Sequence, residues 1–444
     1  MGDVMALPAP DLAADASCVA VYRDLRDGVA RSCAQIGYGY NLYPISTATA
    51  RHLQQVLASC LRDGRMHEYG TVHDEHDRAL AAALAGEYLG VPVDEDQVMF
   101  CAGASEGIGL VSRYLTACGA SMILPAPCYF AFEQTPRRHP LAVAGRYRGD
   151  GAVHWSGGGA GHTAVVEILP NGVTGTGFRP PAVQADFRVL DLVFQAGGHS
   201  SGRHMVADHA RTALAGRLTD TAVLMTPSKD LSLPGLRAGL LISGDTALIA
   251  AARDDVFDRV ASANPMAGQF VLLYLTVLLM AEAAHDSDPG TFARRHAWVR
   301  AQYKRHRVST CPTESTCRAI TGHLDRMAGH FAEAFGLLTH HGAGLLQVAA
   351  HMRPIAGYSL LPRLNVDLPT PQDLVGWVNT VGRRFDLKLN PSLLFGGTLS
   401  SWNALYPGEP RIRVNLSVPH ADLVRTLDML RTARRELDRV GAKR

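Results

Sequence analysis

The stretch "TPSKDLSLPGLRAG" (residues 226–239) sets Lys229 among small and polar side chains, ahead of a Pro-Gly turn and Arg237. The 444-residue chain otherwise writes its positive charge as arginine, and only Lys229, Lys304, Lys388 and Lys443 are lysines. That preference is what codon bias in a GC-rich genome produces, and it makes each retained lysine informative. Arginine is protonated at every accessible pH, whereas a lysine of lowered pKa condenses with a carbonyl to form an imine. Lys229 is therefore the candidate for covalent chemistry.

An imine-forming lysine needs a fixed carbonyl partner, most often pyridoxal 5'-phosphate, which makes three demands of a protein. Its phosphate needs a helix N-terminus, hydroxyls and an arginine. "CAGASEG" (101–107) closes a strand and opens a helix, offering Gly103, Ala104 and Ser105, while Thr226, Ser228 and Arg237 flank the lysine. Its pyridine nitrogen needs a carboxylate, and "VLDLVF" puts Asp191 in an apolar strand where an unpaired charge would be costly. Its ring needs an aromatic face, and "PAPCYFAF" (125–132) brings Tyr129 to a strand end.

With these motifs in order, the sequence resembles the fold type I pyridoxal-phosphate enzymes, specifically the class I/II aminotransferases, from about residue 40 to 430. The resemblance implies that Lys229 forms the internal imine and shuttles protons. It implies that Thr226, Ser228 and Arg237 hold the phosphate, that Tyr129 stacks on the ring and that Asp191 holds its nitrogen. "EYGTVHDEHDRAL" is similar to the segment whose tyrosine, here Tyr69, reaches the neighbouring subunit's phosphate. "ASANPMAGQ" (261–269) is similar to a subunit-boundary loop. "PRIRVNLSVP" is similar to the motif that grips the substrate α-carboxylate, implying Arg413, with Arg411 as the neighbouring candidate on the same strand face. "NLYP" (41–44) implies a substrate mouth that includes Asn41. A homodimer with shared active sites and a small-molecule amino-acid substrate, processed through a quinonoid, follow from the same resemblance.

Two departures concern one atom, the cofactor's O3'. The family's tyrosine three residues after the aspartate is Phe194, and its N-P-T-G motif reads "PNGVTG", leaving Gly172 or a displaced Asn171 there. Asn171 and Asp191 are also too close in sequence for the helix normally between them. The resemblance thus leaves a transaminase, in which other groups replace these donors, beside a β/γ-elimination or replacement enzyme. The latter reaction is that of the aminocyclopropane-carboxylate synthases on S-adenosylmethionine, and bond formation to a second substrate is a variant of it. A cofactor-binding regulator and a nucleotide-binding protein built on "GGGAG" are the minor alternatives.

The elements that must position these residues are read from periodicity. Helical spacing covers 46–66 and 76–90, and seven short apolar strands begin at "QVMFCAG" and end at "GLRAGLLISG". Alternation with helices predicts an α/β fold with a mostly parallel, doubly wound sheet. Long helices through 345, a helix near 370–384, "RIRVNLSVP" and a helix at 420–439 predict a smaller α+β domain. The expected organisation is an N-terminal segment (1–60) joining the small domain, a large cofactor-binding domain (61–330) and a small C-terminal domain (331–444).

A net charge of +2, with 47% hydrophobic and 19% charged residues, implies no strong field for nucleic acid or membrane surfaces. No positive charge precedes Arg23, so the basic start of a signal peptide is missing. "FVLLYLTVLLMA" (270–281) falls short of the roughly 20 residues that cross a bilayer and reads as a buried helix. The eight cysteines form no disulfide framework, and His73, His76, His340 and His341 no metal pattern. The expectation is a cytoplasmic protein.

Overall fold

A computed structural model describes residues 34–67, 74–139, 141–156, 161–196, 200–260, 264–366, 368 and 371–441. Its centre is an eight-stranded sheet: β1 (Val98–Cys101), β2 (Ser121–Pro125), β3 (Ala142–Tyr147), β4 (Val153–Trp155), β5 (Thr163–Ile168), β6 (Phe187–Leu192), β7 (Thr221–Met225) and β8 (Gly239–Ser243). The spatial order is β1-β8-β7-β6-β5-β2-β3-β4. From β7 through β3 every pairing is parallel, while β8 and the edge strand β4 run antiparallel to their neighbours. The mixed, mostly parallel α/β sheet is the one expected, with β4 added at the edge. Trp155 of β4 is 56% exposed, so this strand lacks the apolar run that marks the others.

Strands such as VMFC, TAVLM and GLLIS are buried along their whole length because helices cover both faces. Alternate residues serve alternate cores. Val98 and Phe100 join the core beneath helices 74–89, 200–214 and 265–284, whereas Met99 and Cys101 join the one beneath helices 104–117, 130–138 and 246–260. Helix Pro265–Ala284 is apolar all round and, by length and composition alone, could cross a membrane. It lies instead inside the first core with almost every side chain buried, as a helix without a polar face must. The Asn264 side chain caps it by accepting from the Met266 amide at 3.0 Å.

Between β5 and β6 no helix intervenes, in line with the short spacing from Asn171 to Asp191. The remaining chain forms a second group of elements. The strand Ile412–Asn415 pairs antiparallel with Ser359–Leu360 and Asn390–Pro391, packed by helices Pro371–Phe385 and His420–Gly441. The N-terminal segment joins it, with Ala34–Gln35 running parallel to Leu387–Lys388. Helix Glu314–His341 runs unbroken across residue 330, where the sequence places a domain boundary.

β1, β2, β6 and β7 all point the same way, so the loops that leave them emerge at one edge of the sheet. The antiparallel β8 enters from that edge. The segments 101–107 and 125–129, the end of β6 with Asp191 and the Lys229 loop all lie at this edge, where open α/β sheets bind their ligands.

Candidate active site

A cleft opens at this edge, between the large sheet and the strand Ile412–Asn415. Lys229, Asp191, Arg237 and Arg413 all line it.

Lys229 follows β7 in a tight loop closed by the Leu231 amide on Pro227 O (3.0 Å) and the Leu233 amide on Ser228 O (3.2 Å). Its amine donates to Gly39 O at 2.8 Å. Burial, then the nearby Arg413, lower its pKa from 10.5 to about 8; Asp191 opposes the shift and Arg237 adds to it. The next residue fixes this loop from below. Asp230 is fully buried and accepts from the Gln195 and Ala196 amides (both 2.8 Å) and from the Tyr274 hydroxyl (2.7 Å). The lysine loop, the chain leaving β6 and the core helix are thereby tied together.

Asp191 occupies the penultimate position of β6 and is 1% exposed. Its Oδ1 is buried without a hydrogen-bond partner. Burial raises its carboxyl from 3.8 to about 7, against the opposing pull of Lys229. A buried carboxylate oxygen so placed costs several kcal/mol unless a cation meets it.

The N-terminus of helix Ala104–Ala117 faces the same cleft through Ala104 and Ser105. Gly103 precedes it at φ 81°, and a Cβ there would come within 2.8 Å of Arg237 Nη2. Arg237 lies against this turn, donating to Ala102 O (2.8 Å) and Pro234 O (3.2 Å). Together they make a cradle of backbone amides and a guanidinium for an anion. Thr226 donates its hydroxyl proton to Ala238 O (2.7 Å), so in the 2.8 Å contact between Thr226 and Ser228 it is Ser228 that donates. The Ser228 proton is the one able to turn towards a ligand. Tyr129 stands half-buried on the other wall; burial raises its phenol and a hydrogen bond with the Ser105 side chain opposes this.

The two candidate carboxylate holders separate cleanly. Arg411 is bound to Glu409 Oε2 through Nε (2.9 Å) and Nη2 (2.5 Å) and to Leu361 O (3.0 Å). Arg413 reaches the cleft, oriented by Gly37 O, which accepts from its Nε (3.1 Å) and Nη2 (2.6 Å).

No protein-family model and no curated protein sequence matches the chain, but its backbone matches solved structures over nearly its full length. A double mutant of the aspartate aminotransferase from Thermus thermophilus superposes with a TM-score of 0.63 at 14% identity, covering 98% of this chain and 100% of that one. The aspartate aminotransferase from Thermotoga maritima gives 0.62 at 14% identity over 93% and 94% of the two chains. The probable N-succinyldiaminopimelate aminotransferase from Thermus thermophilus gives 0.61 at 16% over 94% and 98%. This chain has the aminotransferase fold.

Within that fold, the departures at positions 194 and 172 have a physical account. Phe194 is 4% exposed and wedged between two glycines. A Cβ at Gly172 would lie 3.1 Å from its ring, and one at Gly357, where φ is 81°, only 2.7 Å. The ring packs close against both glycines, and Gly172, not Asn171, faces the cleft. Asn171 is instead fully used in shaping the turn. It donates to Pro127 O (2.8 Å) and accepts from the Val173 (2.9 Å) and Thr174 (3.2 Å) amides.

Asn41 does not line this cleft: its side chain donates to Lys229 O (2.9 Å) and Met327 Sδ (3.2 Å) and accepts from the Tyr43 amide (3.0 Å). It holds the lysine loop from behind. Tyr69, part of the 156–162 loop and residues 261–263 lie outside the described residues. Three contributors escaped sequence reasoning: Asp230, the Gly39 carbonyl and Tyr358. A second buried carboxylate beside the lysine was a readable signal for Asp230. A backbone carbonyl leaves none.

Proposed function

We propose that this chain is a pyridoxal-phosphate-dependent enzyme acting on an α-amino acid in the manner of an aminotransferase. The observation that carries this reading is the unpartnered Oδ1 of Asp191 in the same cleft as the Lys229 amine. A protonated pyridine nitrogen is the cation that this carboxylate lacks. The anion cradle formed by Gly103, Ala104, Ser105, Ser228 and Arg237 fits the phosphate, and Tyr129 offers a ring face beside it. When bound, the cofactor supplies an electron sink for charge left at the substrate Cα.

The protein's own residues divide the remaining work. Arg413 orients the substrate through its α-carboxylate. Lys229, with its pKa brought down to about 8, holds a useful fraction of free amine near neutrality and takes the proton from Cα. Asp191 stays ionised once a cation pairs with it. Asp230 and Asn41 keep the lysine loop in place from either side.

The closely packed Phe194 favours keeping a second reading, β/γ-elimination or replacement, because it brings a ring without a hydroxyl to the cofactor pocket. Absorption spectroscopy with pyridoxal phosphate and a panel of amino acids and S-adenosylmethionine, without a keto-acid acceptor, separates the two. Conversion of the cofactor to its amine with release of a keto acid establishes transamination. A leaving group released with the cofactor unchanged establishes elimination or replacement. Full activity in Lys229→Ala would overturn both.

The reading includes a homodimer with active sites at the subunit boundary. Leu57, Leu61, Met66, Phe257 and Val260 are exposed by 40% or more, and burying such side chains is what drives association. Light scattering on the purified protein tests it. A cytoplasmic location is part of the same proposal, in keeping with the six free thiols among the described residues.

A further inference from the structure

Tyr358 and the Gly39 carbonyl are polar groups of the cleft that the proposed chemistry does not yet use. Tyr358 is 2% exposed. Its ring is fixed edge-on against Phe194, with centroids 5.5 Å apart, and against Phe331 at 6.2 Å. The hydroxyl borders the cleft and is 3.4 Å from Gly39 O. That is long for an O–H···O bond, which is ordinarily about 2.5–3.0 Å. A buried hydroxyl held in this way is under-bonded and, with its ring fixed, cannot turn to another partner.

The same Gly39 oxygen accepts from Lys229 Nζ at 2.8 Å. The structure therefore shows how an alkylammonium sits here: on the Gly39 carbonyl, the same oxygen that the Tyr358 hydroxyl approaches. Gly39 also lies against the carboxylate-binding arginine, since a Cβ at this position would be 3.2 Å from Arg413 Nη2. An α-amino acid carries its ammonium and carboxylate on one carbon, so the groups that receive them must be neighbours. Gly39 O and Arg413 are.

Resting on the reading of the preceding subsection, we propose that Gly39 O and the Tyr358 hydroxyl dock the substrate's α-ammonium group, at a place that the Lys229 ammonium fills in this structure. An ammonium has three donors and no acceptor. The carbonyl takes one and the phenol oxygen a second, while Arg413 takes the carboxylate. Tyr358 is thus a positioning residue for the incoming amine, selecting amino acids over carboxylates that lack nitrogen.

The test removes the competing lysine. In the full-length Lys229→Ala protein, dissociation constants are measured by calorimetry for L-norleucine and for hexanoate, which differ in the amino group alone. L-norleucine should bind more tightly. Adding Tyr358→Phe should weaken it on the order of three- to tenfold, the value of one hydrogen bond, and leave hexanoate unchanged. In the otherwise unaltered holoenzyme, Tyr358→Phe should raise KM for the amino acid and spare kcat. Equal losses for both probes, no loss for either, or no preference for L-norleucine would overturn the proposal. The parent reading is judged separately, by whether the unmodified protein forms a Lys229-linked cofactor chromophore.

Discussion

Replacing Asp191 with asparagine should make the cofactor-free protein more stable, by an amount that depends on pH. In the folded chain burial raises the Asp191 carboxyl from 3.8 to about 7. At about 1.36 kcal/mol per tenfold change in the ionisation constant, keeping this group ionised in the fold costs about 4 kcal/mol above pH 7. The sign follows from proton counts. The unfolded chain loses the proton near pH 3.8 and the folded chain only near 7, so between those values the folded state binds more protons and stability falls as pH rises. Below 3.8 and above 7 the slope vanishes. About 2 kcal/mol of the total falls between roughly pH 5.5 and pH 8.

Asp191→Asn has no charge to bury, so its advantage over the unaltered protein should grow by about 2 kcal/mol across that interval. Urea unfolding of both cofactor-free proteins at the two ends of the interval reads this directly. Adding pyridoxal phosphate should then reverse the order, because the carboxylate gains a cation that the amide cannot pair with. A stability difference that is the same at both pH values would refute the burial argument. A variant that binds the cofactor as tightly as the unaltered protein would refute the pairing argument.

Gly103→Ala should weaken cofactor binding at least tenfold while the fold persists, because the new methyl meets Arg237 and the backbone stands at φ 81°; fluorescence titration with pyridoxal phosphate checks it. Arg413→Ala should raise KM for the amino acid by about two orders of magnitude, equivalent to about 3 kcal/mol, whereas Arg411→Ala, whose arginine is bound to Glu409, should change it little; steady-state kinetics on both variants decides. The rate at which the cofactor-free protein takes up pyridoxal phosphate should climb with pH and level off above about 8, as the Lys229 amine loses its proton, and stopped-flow absorbance from neutral to alkaline pH measures this.

Much of the proposed site was legible in residue types because each demand of the proposed cofactor excludes most side chains. Only lysine forms the imine, only a carboxylate balances a buried pyridinium, and a strand–glycine–helix turn announces an anion site without any partner being known. The sheet was legible for a similar reason: runs such as "TAVLM" and "GLLIS" are stable only when covered on both faces. The edge strand Val153–Trp155 was not, since half its surroundings are solvent and its composition carries no such constraint. Helix Pro265–Ala284 could be recognised as buried, but not what buries it.

What chain order could not decide was partnership. Arg411 and Arg413 alternate onto one strand face and are equivalent in pattern; Glu409 takes the first, and Gly37, almost the whole chain away, aims the second. Asn41 looked like a lining residue, yet its amide is spent on Lys229 O, 188 positions distant. Gly39 O meets both the lysine amine and the Tyr358 hydroxyl only because the N-terminal segment threads past the strand Ile412–Asn415. Residue type determines which bonds a side chain can make. Which of them it does make is set by competition among neighbours that only folding brings within about 3 Å.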